Sequence, residues 1–122
     1  MLTLTRFLAY HEEIVNWQAS ELRFAVEQFK HDSGHYPHNL DVEMTPAGKT
    51  VINLYTDFEY HHYTDFLNPY TKQHYIPALG IATGKGEVAY QPMETSGEVT
   101  DYVVTGRNAF DEFVRLGKNP LN

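Results

Sequence analysis

The sequence predicts an α+β fold in which one long N-terminal helix packs on a small antiparallel β-sheet of three to four strands. Two observations lead to this prediction. Apolar residues recur with helical periodicity over residues 1–34, and apolar and polar residues alternate as in strands over residues 87–117. Residues 35–86 between them form an irregular segment rich in aromatic residues, Pro and Gly. At 122 residues, the chain has the length of a single domain.

The long helix is predicted from a stripe of residues spaced alternately by four and three positions. Such a stripe stays on one side of a helix with 3.6 residues per turn. No Pro or Gly interrupts it, Gly34 supplies the left-handed residue that ends a helix, and Pro37 follows where a helix cannot continue. The stripe consists of Leu4, Leu8, His11, Val15, Gln18, Leu22, Ala25 and Phe29.

A second face of this helix carries three aromatic residues, Tyr10, Trp17 and Phe24, at intervals of seven. A helix of thirty residues is roughly 45 Å long, which exceeds the ~30 Å diameter of a small domain. The aromatic residues fit a wide core contact or scattered surface aromatics, or else a second face that meets another subunit or helix. The length of the helix and the position of this face together favour the subunit contact.

Within residues 35–86, only residues 50–55 resemble a strand. The rest of the segment is divided by Pro and Gly and has no regular period. An irregular segment of this length is uncommon unless its own side chains hold it in place. Seven Tyr and Phe residues between positions 55 and 75 are available for that purpose.

The last third of the chain is predicted to form strands. Residues 88–91 alternate and Pro92 is predicted to end this strand, and residues 102–105 form a second run that Gly106 ends, with a turn at 95–97. Residues 108–117 fit two structures. Asn108 could cap a short helix, or residues 111–116 could form a third strand.

Composition excludes several classes of function. The chain has 9 Lys and Arg against 16 Asp and Glu, for a net charge of −7, which argues against binding to nucleic acid or anionic lipid. It has no Cys, so thiolate catalysis, disulfides and Cys-ligated metals are excluded. No nucleophile-elbow, phosphate-loop or dinucleotide motif occurs, and no run of apolar residues is long enough for a membrane span. We therefore expect no enzymatic activity.

His31, His35 and His38 are the candidates for a metal site, because their spacings of four and three would align them on a helix. Gly34 and Pro37 interrupt the segment, so a shared face is not required by the sequence. The alternative is that these histidines are solvated at the end of the helix and in the loop.

Four motifs follow one another along the chain. Residues 21–37 carry a helical Leu-x-x-Ala-x-x-x-Phe pattern that leads into an Asp-x-Gly-x-Tyr-Pro turn, and residues 67–71 contain Asn-Pro-Tyr-Thr. Residues 86–90 read Gly-Glu-Val-Ala-Tyr, and residues 101–106 read Asp-Tyr-Val-Val-Thr-Gly. Their order and spacing resemble the globular part of bacterial type IV pilins and type II secretion pseudopilins. The resemblance covers about residues 18–116.

This resemblance implies a structural subunit that acts by assembly into a filament at the periplasmic or extracellular face of the cell envelope. One side of the helix would pack on the sheet, and Tyr10, Trp17 and Phe24 would contact neighbouring pilin or pseudopilin subunits. A strand is implied for residues 111–116. In the family, a leader and an apolar inner-membrane anchor precede the globular part. They are missing from this sequence. We therefore expect either that the sequence lacks the N-terminal part, through which alone the protein would reach the membrane, or that the protein shares the fold and never enters a membrane.

The resemblance also bears on cofactors. Some pseudopilins bind calcium near their C-terminal strands, and Asn108, Asp111 and Glu112 offer oxygen ligands here, although the local pattern matches poorly. We expect no cofactor, with calcium as the weak candidate. The alternative function is a soluble α+β domain that binds a small molecule or metal through the His- and Tyr-rich middle region.

Overall fold

A computed structural model gives the fold and describes residues 4–57, 66–107 and 113–117, with side chains at 13–57 and 66–107. The architecture is α+β, as predicted. In chain order the elements are α1 (Leu4–Ser33), α2 (Val51–Asp57), β1 (Ala78–Leu79), β2 (Val88–Thr95), β3 (Glu98–Arg107) and β4 (Phe113–Gly117).

Helix α1 is the long helix that the periodic stripe predicts. Val15, Leu22 and Phe29 from that stripe are completely buried. The helix ends at Ser33 and is capped by Gly34, which has a φ of 84° and whose N–H donates to the carbonyl of Lys30 at 2.8 Å. This is the left-handed capping arrangement that Gly adopts without steric cost.

The strand predicted for residues 50–55 is wrong, because residues 51–55 belong to helix α2 and Thr50 caps its start. The Thr50 hydroxyl accepts a hydrogen bond from the Asn53 N–H, and the Asn53 side-chain oxygen accepts one from the Thr50 N–H, both at 3.1 Å. This reciprocal pair starts a helix as a capping box does. One turn apart, Val51 and Tyr55 are both buried. Capping and a shared buried face therefore outweigh the β-branched composition.

The sheet has the order β1-β2-β3-β4 and is mixed. Strands β2, β3 and β4 pair antiparallel, but β1 pairs parallel to β2, with Ala78 opposite Ala89 and Leu79 opposite Tyr90. The prediction of an antiparallel sheet is therefore wrong for β1. This strand has only two residues, both exposed, so it shows no alternation that the sequence could reveal.

Strand β2 continues through Pro92 to Thr95, so the strand end predicted at Pro92 is wrong. Within the described residues, β1 stops pairing with β2 at Tyr90, and Pro92 lies where β2 has a neighbour on one side only. A sheet edge tolerates the missing N–H of Pro. Ser96 and Gly97, with φ values of 54° and 83°, form the tight turn to β3.

Residues 113–117 form β4, so the structure favours the strand over the helix for that part of residues 108–117. Residues 108–112 lie outside the described part of the chain. Strand β4 pairs with β3 and completes the surface on which α1 packs.

The middle segment is held to α1 through Gln18, which is completely buried. Its amide nitrogen donates to the Leu67 carbonyl at 2.8 Å, and its amide oxygen accepts from the Leu67 N–H at 2.7 Å. Next to it, Phe66 stacks on Tyr55 with ring centroids 4.0 Å apart. The Asn68 side chain donates to the Lys85 carbonyl at 2.7 Å. The segment is thus fixed to the helix at one point and to the turn before β2 at another.

Candidate functional site

The candidate site is the face of α1 that the sequence predicts for subunit contact. It consists of Tyr10, Trp17 and Phe24, and we call it the aromatic flank. A spacing of seven residues advances an α-helix by nearly two full turns, so the residues share a flank. Phe24 is 61% exposed and Trp17 is half-buried. Tyr10 lies on α1, but its side chain is outside the described residues.

The opposite side of the helix is buried in the core. Val15, Leu22 and Val26 have no exposed surface and pack with the apolar residues of the sheet. Leu22 and Phe24 are only two positions apart, about half a turn of the helix, so they lie on opposite sides of it. Helix α1 therefore has one side occupied by its own domain and one side that presents an aromatic ring to the exterior.

A surface groove of about 440 Å³ lies beside the Phe24 ring. Ser20, Arg23, Phe24 and Glu27 line it, at positions that fall on one side of a helix. The ring thus has a positive and a negative side chain next to it. An apolar group with charged neighbours is typical of the transition from the core to the rim of a protein interface.

The Glu27 wall of this groove is fixed by two tyrosines. The Tyr102 hydroxyl donates to Glu27 Oε2 at 2.6 Å, and the Tyr36 hydroxyl donates to Oε1 at 3.4 Å. Burial raises the pKa of Tyr102, and its hydrogen bond to Glu27 raises it further. Burial and the nearby Glu27 charge also raise the pKa of Tyr36. Both hydroxyls therefore remain protonated donors, and Glu27 is held in place before any partner binds.

The predicted metal candidates have different surroundings. His31 is exposed near the end of α1, whereas His35 and His38 both contact Glu43. The His35 Nε2–Glu43 Oε1 distance is 2.5 Å, and the His38 Nδ1–Glu43 Oε2 distance is 3.0 Å. Among the side chains that the structure describes, at residues 13–57 and 66–107, no group of three His, Asp or Glu residues is arranged to hold a metal ion. The structure brings two of the three histidines together, but around a carboxylate.

The hydrogen bonds in this cluster favour the charged forms of both His38 and Glu43. The hydrogen bond with the Gly97 carbonyl and the one with Glu43 raise the pKa of His38. Burial alone would raise the pKa of Glu43, but hydrogen bonds from the His38 N–H and from both imidazoles outweigh it and hold that pKa below its ordinary value. Near neutral pH, the cluster therefore contains a carboxylate that accepts from two histidines.

The calcium candidates Asn108, Asp111 and Glu112 lie outside the described residues. In the described part of the middle region there is a cavity of about 100 Å³, lined in part by Tyr75, Ile81 and Glu87. Sites for drug-sized ligands are typically about 300–1,000 Å³. This cavity has room for water or a very small molecule.

Sequence reasoning missed the roles of Glu27 and Glu43. Glu27 meets Tyr102 from 75 positions away, and nothing local indicates such a pairing. The sequence does carry a weak signal for the position of Glu43, in the form of a turn-forming residue before it. The Asn39 side-chain oxygen accepts from the Glu43 N–H at 2.8 Å, and Asn is a residue that favours turns of this kind. That turn returns Glu43 to the two histidines.

Among the residues that the structure describes, no helix has both the length and the hydrophobicity needed to cross a membrane. Comparisons with family models, curated proteins and solved structures give no match for the chain.

Proposed function

We propose that the chain is the globular part of a structural subunit in a filament of the type IV pilus or type II secretion pseudopilus kind. It acts by assembly with other pilin-like subunits and has no catalytic role. The observation that carries the proposal is that α1 has two different sides. One side is buried in the core of the domain, and on the other, the aromatic flank, Phe24 is 61% exposed. A helix with two such sides is suited to pack between molecules.

Two motifs behind the family resemblance have clear physical roles, which supports the proposal. Gly34 ends α1 with a positive φ. Asn68 accepts a hydrogen bond from the Tyr70 N–H at 2.9 Å while it donates to Lys85, so it shapes one loop and fixes another. Residues with such roles define the fold of a domain, as family motifs commonly do.

The strength of the contact is consistent with assembly of many subunits. Burial of one aromatic side chain contributes about 2 kcal/mol, and a dissociation constant of about 1 mM already corresponds to ~4 kcal/mol. One pair of aromatic flanks therefore gives a weak contact. Many aligned contacts, together with an N-terminal segment that holds subunits in the inner membrane, would make the filament stable.

In this proposal the domain lies on the periplasmic or extracellular side of the cell envelope, and its partners are other subunits of the filament. The net charge of −7 agrees with a protein partner in preference to nucleic acid.

Photo-crosslinking in the source cells tests the proposal. A benzophenone amino acid replaces Phe24 in one variant and Leu79 in another, in the full-length protein. Leu79 is a matched control because it is 56% exposed and lies on β1, an edge strand of the described sheet that does not pack against α1. We expect position 24 to form crosslinked dimers and higher oligomers on illumination, and position 79 to form few or none.

Equal crosslinking from both positions, or none from position 24, would contradict assembly through the aromatic flank. Mass spectrometry of the crosslinked species identifies the partner as the same chain or as another pilin-like subunit.

A further inference from the structure

His38 connects two parts of the chain that are far apart in sequence. Its Nδ1 lies 3.0 Å from Glu43 Oε2 in the loop after α1, and its Nε2 lies 3.1 Å from the Gly97 carbonyl in the β2–β3 turn. The His38 backbone N–H also donates to Glu43 Oε2 at 2.9 Å. We call the two ring contacts the His38 link.

Both partners of the ring are hydrogen-bond acceptors. A backbone carbonyl cannot donate, and an ionised carboxylate accepts only. A neutral imidazole carries a single N–H, so it can satisfy either Glu43 or Gly97, and its other nitrogen then directs a lone pair at an oxygen. Only the imidazolium form donates to both. Because an ionised carboxylate is a stronger acceptor than a backbone carbonyl, a neutral ring keeps its N–H on Nδ1 toward Glu43 and turns the lone pair of Nε2 toward the Gly97 carbonyl, so loss of the proton breaks the contact with the turn.

We propose that the His38 link is a proton-dependent connection that fastens the β2–β3 turn to the loop after α1 when His38 is charged and releases the turn when His38 loses its proton.

The neighbouring groups favour the charged form. From the loop, Glu43 accepts from His38 and also contacts His35. From β2, Glu94 Oε1 lies 3.8 Å from His38 Nε2 and adds a second negative charge. Tyr90 of β2 donates to the Pro37 carbonyl at 2.6 Å, and burial raises its pKa so that it stays neutral. These described neighbours supply two carboxylates, one further histidine and no Lys or Arg.

The two titrating partners define a pH window. The pKa of His38 is above its ordinary 6.5, so its contribution is complete below about 6.5 and is lost as pH rises through the folded-state pKa. The pKa of Glu43 is below its ordinary 4.5, so its contribution is complete above that value and is lost as pH falls through the folded-state pKa. The link is closed between these limits and opens on the alkaline side through His38.

The test is an NMR titration of the isotope-labelled chain from pH 5 to pH 9 in the presence of EDTA, which removes metal ions as a variable. Long-range proton–nitrogen spectra give the protonation of each ring nitrogen of His38. Hydrogen exchange, expressed as protection factors, gives the opening of amides 94–99. We expect both nitrogens of His38 to be protonated at pH 6. As the ring titrates, protection of the turn should fall about tenfold with the same midpoint, as expected for loss of one charge-assisted hydrogen bond.

His38→Gln should give low protection of the turn at every pH and no midpoint. His31→Gln is the control, because His31 is exposed on α1 and its replacement should leave the midpoint unchanged. The proposal is overturned if the wild-type turn keeps its protection while His38 titrates, or if His38 is a neutral single tautomer at pH 6. The wild-type titration decides the question even if the variant folds poorly.

Discussion

At the scale of single residues, Gln18 is a side chain whose loss should be costly. It is completely buried and satisfies both the N–H and the carbonyl of Leu67. Gln18→Leu keeps a similar volume but leaves these two backbone groups without their partner. We expect the free energy of unfolding to fall by about 2–3 kcal/mol, because each unsatisfied buried polar group costs about 1–3 kcal/mol. Urea denaturation measures the change.

Gln28→Leu is the matched control on the same helix. Gln28 is exposed and donates to Asp32 one turn away, so its replacement should change the unfolding free energy by no more than about 0.5 kcal/mol. If both substitutions have the same effect, the Leu67 contacts do not stabilise the fold.

At the scale of elements, the close approach of α1 to β3 depends on Gly106. A Cβ added there would lie 2.7 Å from Val15 Cγ1, closer than two carbon atoms can pack. Gly106→Ala should therefore lower the unfolding free energy by about 1–3 kcal/mol through overpacking. In a Val15→Ala background the clashing methyl is absent, and the same change should cost much less. Thermal and urea denaturation of this double-mutant cycle give the coupling, and purely additive costs would contradict the steric explanation.

Elements with a long repeating pattern could be predicted from sequence, and short elements could not. The bounds of α1 and the existence of β2 and β3 follow from periodicity, but β2 continues past Pro92 to Thr95, and β3 extends from Glu98 to Arg107, beyond the predicted residues 102–105 and their predicted end at Gly106. Helix α2 was predicted as a strand because Val51 and Ile52 favour strands locally, while the cap between Thr50 and Asn53 decides for a helix. Strand β1 has two residues and exists through pairing with β2, which no local pattern reveals.

The candidate site also has features that the sequence predicts and features that it does not. Periodicity was sufficient to separate the exposed Phe24 from the buried stripe of α1. By contrast, the contacts of Glu27 with Tyr102 and of His38 with Gly97 join residues 75 and 59 positions apart. Such pairs depend on the tertiary fold, and a single sequence does not encode them in any local signal.

At the scale of the whole molecule, the two sides of α1 should have separable roles in folding and in assembly. Phe24→Ser removes an exposed ring and should change the unfolding free energy by no more than about 0.5 kcal/mol. Leu22→Ala, two positions away in the buried stripe, should lower it by about 2–5 kcal/mol.

If the aromatic flank mediates assembly, Phe24→Ser should abolish filaments in the source cells while the protein remains folded and abundant. Leu22→Ala should reduce filaments only to the extent that it reduces the amount of folded protein. Denaturation curves, immunoblots and electron microscopy of the same strains separate these outcomes, and normal filaments with Phe24→Ser would show that the flank is not the surface through which subunits assemble.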